Sequence, residues 1–277
     1  MKIEFFGSSE SQLLGTYHAA RSIESRKAIV VCPPVGQEYI RTHWALKLLA
    51  KQLSRKGIHA LRFDYRGHGD SFGDIEDVES IDEWKMDLSR AVDFLKQESG
   101  VSRVMLMGLR VGAALAAEVA RERTDVHSLV SWEPIANGYD YLDELRRVHT
   151  TMIDLWFQKV ATVNNADGEE ILGWRYQRSL LNEIESWDVD SSSLAIPQLR
   201  IELEGALSPS ANGGNRLLKS IGVDDESVWG KLAGLESAWL RPKTTQLIVK
   251  AVNDMFERLE RRNMLGTTDR LVQTGAY

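Results

Sequence analysis

A chain of 277 residues, 43% hydrophobic and 27% charged, has the material for one sizeable core with an inserted subdomain and the composition of a globular protein. The net charge of −6, with both signs interspersed, offers no basic face to nucleic acid or to an anionic membrane. No run approaches the ~18 apolar residues of a membrane helix, the opening Met1-Lys2-Ile3-Glu4-Phe5-Phe6 lacks a secretion signal's apolar segment, and the lone Cys32 forbids an internal disulfide, so a cytoplasmic setting is expected.

Ile3 to Phe6 and Leu13 to His18 read as a hairpin across Gly7-Ser8-Ser9-Glu10-Ser11, the antiparallel edge of a larger sheet. Ala28 to Cys32 is an unbroken apolar run, as in a strand buried on both faces, and it stops at Pro33-Pro34. A loop over Val35 to Tyr39 leads into a helix over 42–56, with Leu46, Leu49, Ala50 and Leu53 on one face and Gly57 as its stop. His59 to Phe63 reads as the next strand. At its carboxyl end, where open parallel sheets bind ligands, lies the glycine-punctuated loop Asp64-Tyr65-Arg66-Gly67-His68-Gly69-Asp70-Ser71.

The rhythm repeats with a helix over 81–98, carrying Trp84, Leu88, Ala91 and Leu95 on one face, and a strand from Val101 to Met107. That strand runs through Gly108-Leu109-Arg110-Val111-Gly112 into an alanine-rich helix ending near Arg123, and His127 to Trp132 follows as a strand ending at Glu133-Pro134. Strand and helix alternating in this way imply right-handed parallel crossovers and an α/β fold. Over 138–190 the spacing of Tyr141, Leu145, Val148, Met152 and Leu155, with Trp156, Trp174 and Trp187, predicts a helical cap insertion without strands. Pro197 to Leu203 resumes the sheet, Ser208 to Gly214 is loop-like, Glu226 to Trp229 is a short last strand, and 244–262 is a closing helix. Residues 263–277 have no pattern of their own and read as an unordered tail. The whole, 1–277, is expected to form a single domain.

Cys32-Pro33-Pro34-Val35-Gly36, Leu61-Arg62-Phe63-Asp64-Tyr65-Arg66-Gly67-His68-Gly69-Asp70-Ser71, Gly108-Leu109-Arg110-Val111-Gly112 and Trp132-Glu133-Pro134 stand in the order of conserved blocks of a known group. Together they resemble the serine aminopeptidase-like branch of the α/β-hydrolases, and more narrowly the exosortase-associated hydrolases found beside bacterial biosynthetic gene sets. The resemblance implies a mostly parallel central sheet flanked by helices, with a cap over the carboxyl edge. It also implies a serine at the centre of the elbow, an acid after a later strand and a histidine near the end of the chain. Here the elbow centre is Arg110, the stretch Glu204-Gly205-Ala206-Leu207-Ser208-Pro209 has no aspartate, and all six histidines lie at or before His149. The order serine, acid, histidine cannot be assembled from these residues.

Arg110 is always protonated and offers only donors, so it is no nucleophile. Set beside the N-terminus of the helix beginning at Val111, and with a backbone donor at Val35 or Gly36, it makes a candidate site for a carboxylate or phosphate. The competing reading folds Arg110 onto an internal carboxylate, Glu38 or Glu133. Glu133, Glu38 and His43 are candidates for residual acid–base work, and Tyr139 and Trp156 for the lining of an apolar chamber. No histidine or cysteine spacing suits zinc, and no Rossmann or P-loop fingerprint occurs, so no metal and no cofactor is expected.

Two functions follow. In the first, a repurposed or degenerate hydrolase binds a small molecule bearing an acyl or carboxylate group, free or carrier-linked, in a bacterial biosynthetic pathway. In the second, the fold is a non-catalytic scaffold for a protein partner, with Arg110 structural.

Overall fold

In the computed structural model, residues 1–22, 24–156, 166–189, 194–203, 218–223, 229 and 242–273 are described. The first two strands, β1 (Lys2–Ser8) and β2 (Ser11–His18), form the expected hairpin. β3 (Ala28–Cys32), β4 (His59–Phe63), β5 (Val104–Leu109), β6 (Val126–Trp132), β9 (Gln198–Leu203) and β10 (Leu218–Val223) complete an eight-stranded sheet in the order β1-β2-β4-β3-β5-β6-β9-β10. From β4 to β10 every neighbouring pair is parallel, and only β2 runs against the rest of its partners.

The apolar runs separate cleanly by strand alternation. Val30 and Cys32 of β3 and Leu106 of β5 face one core with α2 (Ile81–Ser99) and α3 (Val111–Glu122). Ile29, Val31, Met105 and Met107 face a second core with α1 (Gly36–Arg55) and α6 (Pro242–Gln273). A sheet covered on both faces is why β3 and β5 contain no polar residue and have every side chain buried. Among the described residues no helix is long and apolar enough to cross a membrane.

Several boundaries differ from the sequence reading. α1 begins at Gly36, not at 42, so the expected loop from Val35 to Tyr39 is mostly its first turn. Gly36, at φ 59°, and the polar Gln37-Glu38 carry no apolar periodicity, which hides a helix start. β5 starts at Val104 rather than Val101. β10 lies at 218–223, in a stretch not read as a strand; the strand expected at Glu226 to Trp229 lies outside the described residues except for Trp229, which sits in a turn. α6 carries helical backbone to Gln273, beyond the expected helix end at 262, which corrects the reading of 263–273 as an unordered tail.

The insertion between β6 and β9 holds α4 (Gly138–Trp156), a hairpin of β7 (Gly168–Ile171) and β8 (Trp174–Gln177), and α5 (Arg178–Glu185). The hairpin corrects the expectation of an all-helical cap. Its two turn residues, Leu172 at φ 54° and Gly173 at φ 81°, both adopt the left-handed backbone that closes a tight two-residue hairpin. Leucine at the first of them conceals the signal that Asn-Gly would have given. α4 buries Tyr141, Leu142, Leu145 and Val148, and its His149 accepts the Leu172 N–H at 3.0 Å, tying helix to hairpin.

Candidate functional site

The carboxyl edge of the sheet is organised by the turn from β5 into α3. Arg110 sits there at φ 54°, ψ −123°, a conformation costly to any side chain, and its N–H is tied to the Trp132 carbonyl at 3.1 Å. The turn is tight enough to dictate its neighbours. A Cβ on Gly108 would lie 2.2 Å from the Gly112 carbonyl oxygen, and one on Gly112 would lie 2.3 Å from that of Pro33. Both glycines are therefore required by close backbone approach. Ala113 and Ala114 donate to the Arg110 carbonyl, while helix geometry gives Val111 and Gly112 no acceptor within α3.

The side chain of Arg110 is 8% exposed as a residue and is shared between core and cap. Nε donates to Oε1 of Glu38 on α1 at 3.0 Å, and a terminal nitrogen donates to Oε2 of Glu144 on α4 at 2.5 Å. Tyr141, one turn before Glu144, donates its hydroxyl to the other oxygen of Glu38 at 3.3 Å. The guanidinium lies 5.5 Å from the Tyr141 ring centre and 5.0 Å from that of Trp229, within cation–π range. Burial pushes the Glu38 carboxyl above its ordinary range, with Arg110 opposing the rise; Arg110 itself is held more firmly protonated by Glu38 and Glu144 against the cost of burial. The competing sequence reading, in which Arg110 folds onto Glu38, is the arrangement observed.

The loop expected to complete an anion site is engaged as well. The Gly36 N–H donates to Nε2 of His68 at 2.8 Å, while Nδ1 of His68 lies 3.0 Å from the Arg66 carbonyl as its donor. A ring that accepts at Nε2 and donates at Nδ1 is neutral, and burial lowers its pKa to about 4. Above it β8 closes the loop. Trp174 stacks on His68 with ring centres 5.3 Å apart, and a Cβ on Gly36 would lie 2.0 Å from the Tyr176 hydroxyl oxygen.

The other predicted residues divide. Val35 and Val111 are buried at the heads of α1 and α3, beside the Arg110 cluster. Glu133, at φ 40°, accepts from the Trp229 indole N–H, which places it next to the site but corrects its proposed pairing with Arg110. His43 and Glu38 do not converge. Five residues apart on α1, they are turned well away from each other, and His43 is exposed, edge-on to Tyr39 beside a recess lined by Arg62 and Asp64. Tyr139 is 60% exposed, so it lines no chamber; Tyr141, two residues on, takes the inward place. Trp156 ends α4, and its side chain lies outside the described residues, as do residues 204–209, where the family resemblance implies a triad acid. Cys32 is fully buried, which pushes its thiol far above a reactive range.

Glu144, Tyr176 and Trp229 escaped the sequence reading. Glu144 was recoverable, since it shares the inner face of α4 with Tyr141 and Leu145; Tyr176 reaches the site through the reversal of the β7–β8 hairpin. Among the described residues no group of three His, Cys, Asp or Glu is placed to hold a metal.

Residues 24–185 match the family model described as serine aminopeptidase, S33. No curated protein matches the chain. The structure of Est1E from Butyrivibrio proteoclasticus with ferulic acid bound superposes with a TM-score of 0.60 at 16% identity, over 92% of this chain and 98% of that one. An alpha-beta serine hydrolase homologue from Coxiella burnetii superposes with a TM-score of 0.51 at 15% identity, over 90% and 96%. At such identities the likeness is one of fold.

Proposed function

We propose that this chain, which belongs to the serine aminopeptidase S33 family of α/β-hydrolase-fold proteins, works by binding and not by serine-dependent hydrolysis, with Arg110 as an ionic clasp between core and cap. The observation that carries this reading is the state of Arg110. It occupies the strained elbow position, and two of its three nitrogens donate to one core carboxylate, Glu38, and one cap carboxylate, Glu144. A permanently charged group so engaged has no lone pair with which to attack an ester and no proton to exchange near neutral pH. The Gly36 N–H bound to His68 supports the same reading, since a backbone donor already in use is a poor oxyanion donor.

The chemistry of the cluster also indicates what a ligand would be. Glu38 is almost completely buried, whereas the Glu144 side chain is 23% exposed, so Glu144 is the partner an incoming carboxylate can replace. An acyl or carboxylate-bearing molecule, free or carrier-linked, of the kind handled in bacterial biosynthetic pathways, fits that exchange and the resemblance to exosortase-associated hydrolases. The competing reading is a scaffold for a protein partner, in which the clasp never opens. Thermal-shift screening of wild type and Arg110→Met against carboxylates, acyl thioesters and phosphopantetheine compounds separates the two. Stabilisation of wild type that disappears in the variant supports ligand exchange at Arg110; equal response, or none, leaves the scaffold. Ester turnover is expected at background. Robust hydrolysis that persists in Arg110→Met would reveal a nucleophile elsewhere and end the binding-only reading.

A further inference from the structure

The edge strand β1 has an unusual composition for the outer strand of a sheet. Edge strands are normally blunted by prolines, bulges or outward charges, because their free N–H and C=O groups template pairing with another chain. β1 runs seven residues, Lys2–Ser8, with no proline and an unbroken register against β2. Phe6 points into the core and stacks on Phe94 with ring centres 4.6 Å apart. The opposite face carries Met1, Ile3 and Phe5, which are 74%, 61% and 50% exposed. The one lysine that could guard the edge is neutralised within the chain, with Lys2 Nζ 2.6 Å from Glu4 and 3.0 Å from Glu98.

The backbone register states which groups are free. Ser8 and Ser11 flank a two-residue turn, so they form a mutually bonded pair, and bonded and non-bonded pairs alternate from there. Phe6, Glu4 and Lys2 therefore bond to β2, while Phe5 and Ile3 direct their N–H and C=O away from it. The far side of β2 agrees: Leu14, opposite Phe5, gives its N–H to Ser71 at 2.9 Å and its carbonyl to the Asp64 N–H at 3.0 Å.

We propose that β1 is a docking edge for a second copy of this chain, paired antiparallel about a twofold axis at Ile3, so that Lys2 of each copy faces Glu4 of the other. In this register the outward amides of Ile3 meet those of Ile3 of the second copy, and Phe5 lies across from Met1 of the second copy. Two reciprocal Lys–Glu pairs flank the axis, sharing the Lys2 ammonium with its contacts to Glu4 and Glu98 of the same chain, and the apolar side chains share one face. Neighbouring registers fail on charge. An axis at Glu4 opposes two glutamates directly, and an axis at Phe5 sets Glu4 against Phe6 and Ile3 against Gly7. The result is one continuous sixteen-stranded sheet across two chains. With only a short segment paired, the interface is small and the dimer concentration-dependent.

Sedimentation velocity on the full chain over a wide concentration range tests this. Wild type is expected to shift from monomer towards dimer, Lys2→Glu and Glu4→Lys each to remain monomeric at concentrations where wild type dimerises, and the Lys2→Glu/Glu4→Lys double variant to dimerise again. Circular dichroism checks that each variant folds. Independently of charge, Ile3→Cys is expected to form an intermolecular disulfide under mild oxidation, because bonded antiparallel partners have Cα atoms about 5.5 Å apart, within disulfide reach. Cys32 is buried and does not compete, and Ser8→Cys serves as the off-axis control. A strictly monomeric wild type, a dimer insensitive to both single swaps, a double variant that stays monomeric, or equal cross-linking at positions 3 and 8 would each overturn the proposal.

Discussion

Two arginines stand near the carboxyl edge of this sheet, Arg66 half-buried and Arg110 buried, and they are built differently. Arg66 binds one helix. Its backbone N–H and Nε both donate to Oδ2 of Asp87 at 3.0 Å, a terminal nitrogen donates to Oδ1 at 2.8 Å, and the other terminal nitrogen takes Glu83, one turn earlier on α2. Arg110 binds two separate elements through single contacts, Glu38 on α1 and Glu144 on α4. A fork gripping one carboxylate fixes a loop to a helix; a guanidinium strung between core and cap makes a joint. The same residue type thus acts as a staple in one place and as a clasp in the other, and the arrangement of acceptors decides which.

Asp87→Ala should show the largest effect. It removes a fully buried carboxylate and leaves the half-buried Arg66 guanidinium, and the Arg66 backbone N–H, without it, and a loss of ~3–5 kcal/mol in chemical denaturation is expected. A loss as small as that of an exposed ion pair would erase the distinction between the two arginines. Arg110→Met should cost about half as much, ~2 kcal/mol, because Glu38 already has a raised pKa and can take up a proton when its partner is gone. Pairing that change with Glu38→Leu should recover most of the loss, since an apolar replacement of the whole pair removes the unpaired charge. A double variant less stable than the sum of its parts would contradict this account.

The two sites meet at His68, which donates to the Arg66 carbonyl and accepts from Gly36. Its folded pKa of about 4 lies below the ordinary 6.5, so the unfolded chain binds more protons than the folded one between those values. Its contribution is fully present above pH 6.5 and is lost as the pH falls towards 4. His18 and His127 carry the same sign, and His68→Gln is expected to flatten only part of the acid-side slope in denaturation midpoints measured across that window. An unchanged slope would show that His68 titrates like a free histidine. Glu144→Gln should have the smallest effect on global stability, under ~1 kcal/mol, because its side chain is partly solvated. Its consequence is local: amide exchange should quicken in α4 and leave β5 and α2 unchanged. Uniform quickening would mean that cap and core unfold as one unit.

Much of this was legible from residues alone. The all-apolar run at 28–32 announces a doubly covered strand and the run within 101–107 another strand, and Gly-x-Arg-x-Gly between a strand and a small-residue helix announces the turn that holds Arg110. Arginine at that turn was visible, and so was Glu38 as one possible partner. Glu144 is legible only as a member of the inner face of α4, beside Tyr141 and Leu145; nothing local marks it as the partner of Arg110. His43 is a candidate by chemical type alone, and its position on α1 turns it away from Glu38. The hairpin in the cap was missed because Leu172 adopts a left-handed backbone without the usual residue to signal it.

The α/β alternation, the elbow and the permanent charge at its centre follow from the residues in order, since period, glycine placement and side-chain pKa are local properties. Tertiary structure alone decided what that charge meets. Whether Arg110 faces a ligand or two carboxylates depends on how α1 and α4, more than a hundred residues apart in their contributions at Glu38 and Glu144, converge over one turn, and burial there then sets the protonation of Glu38.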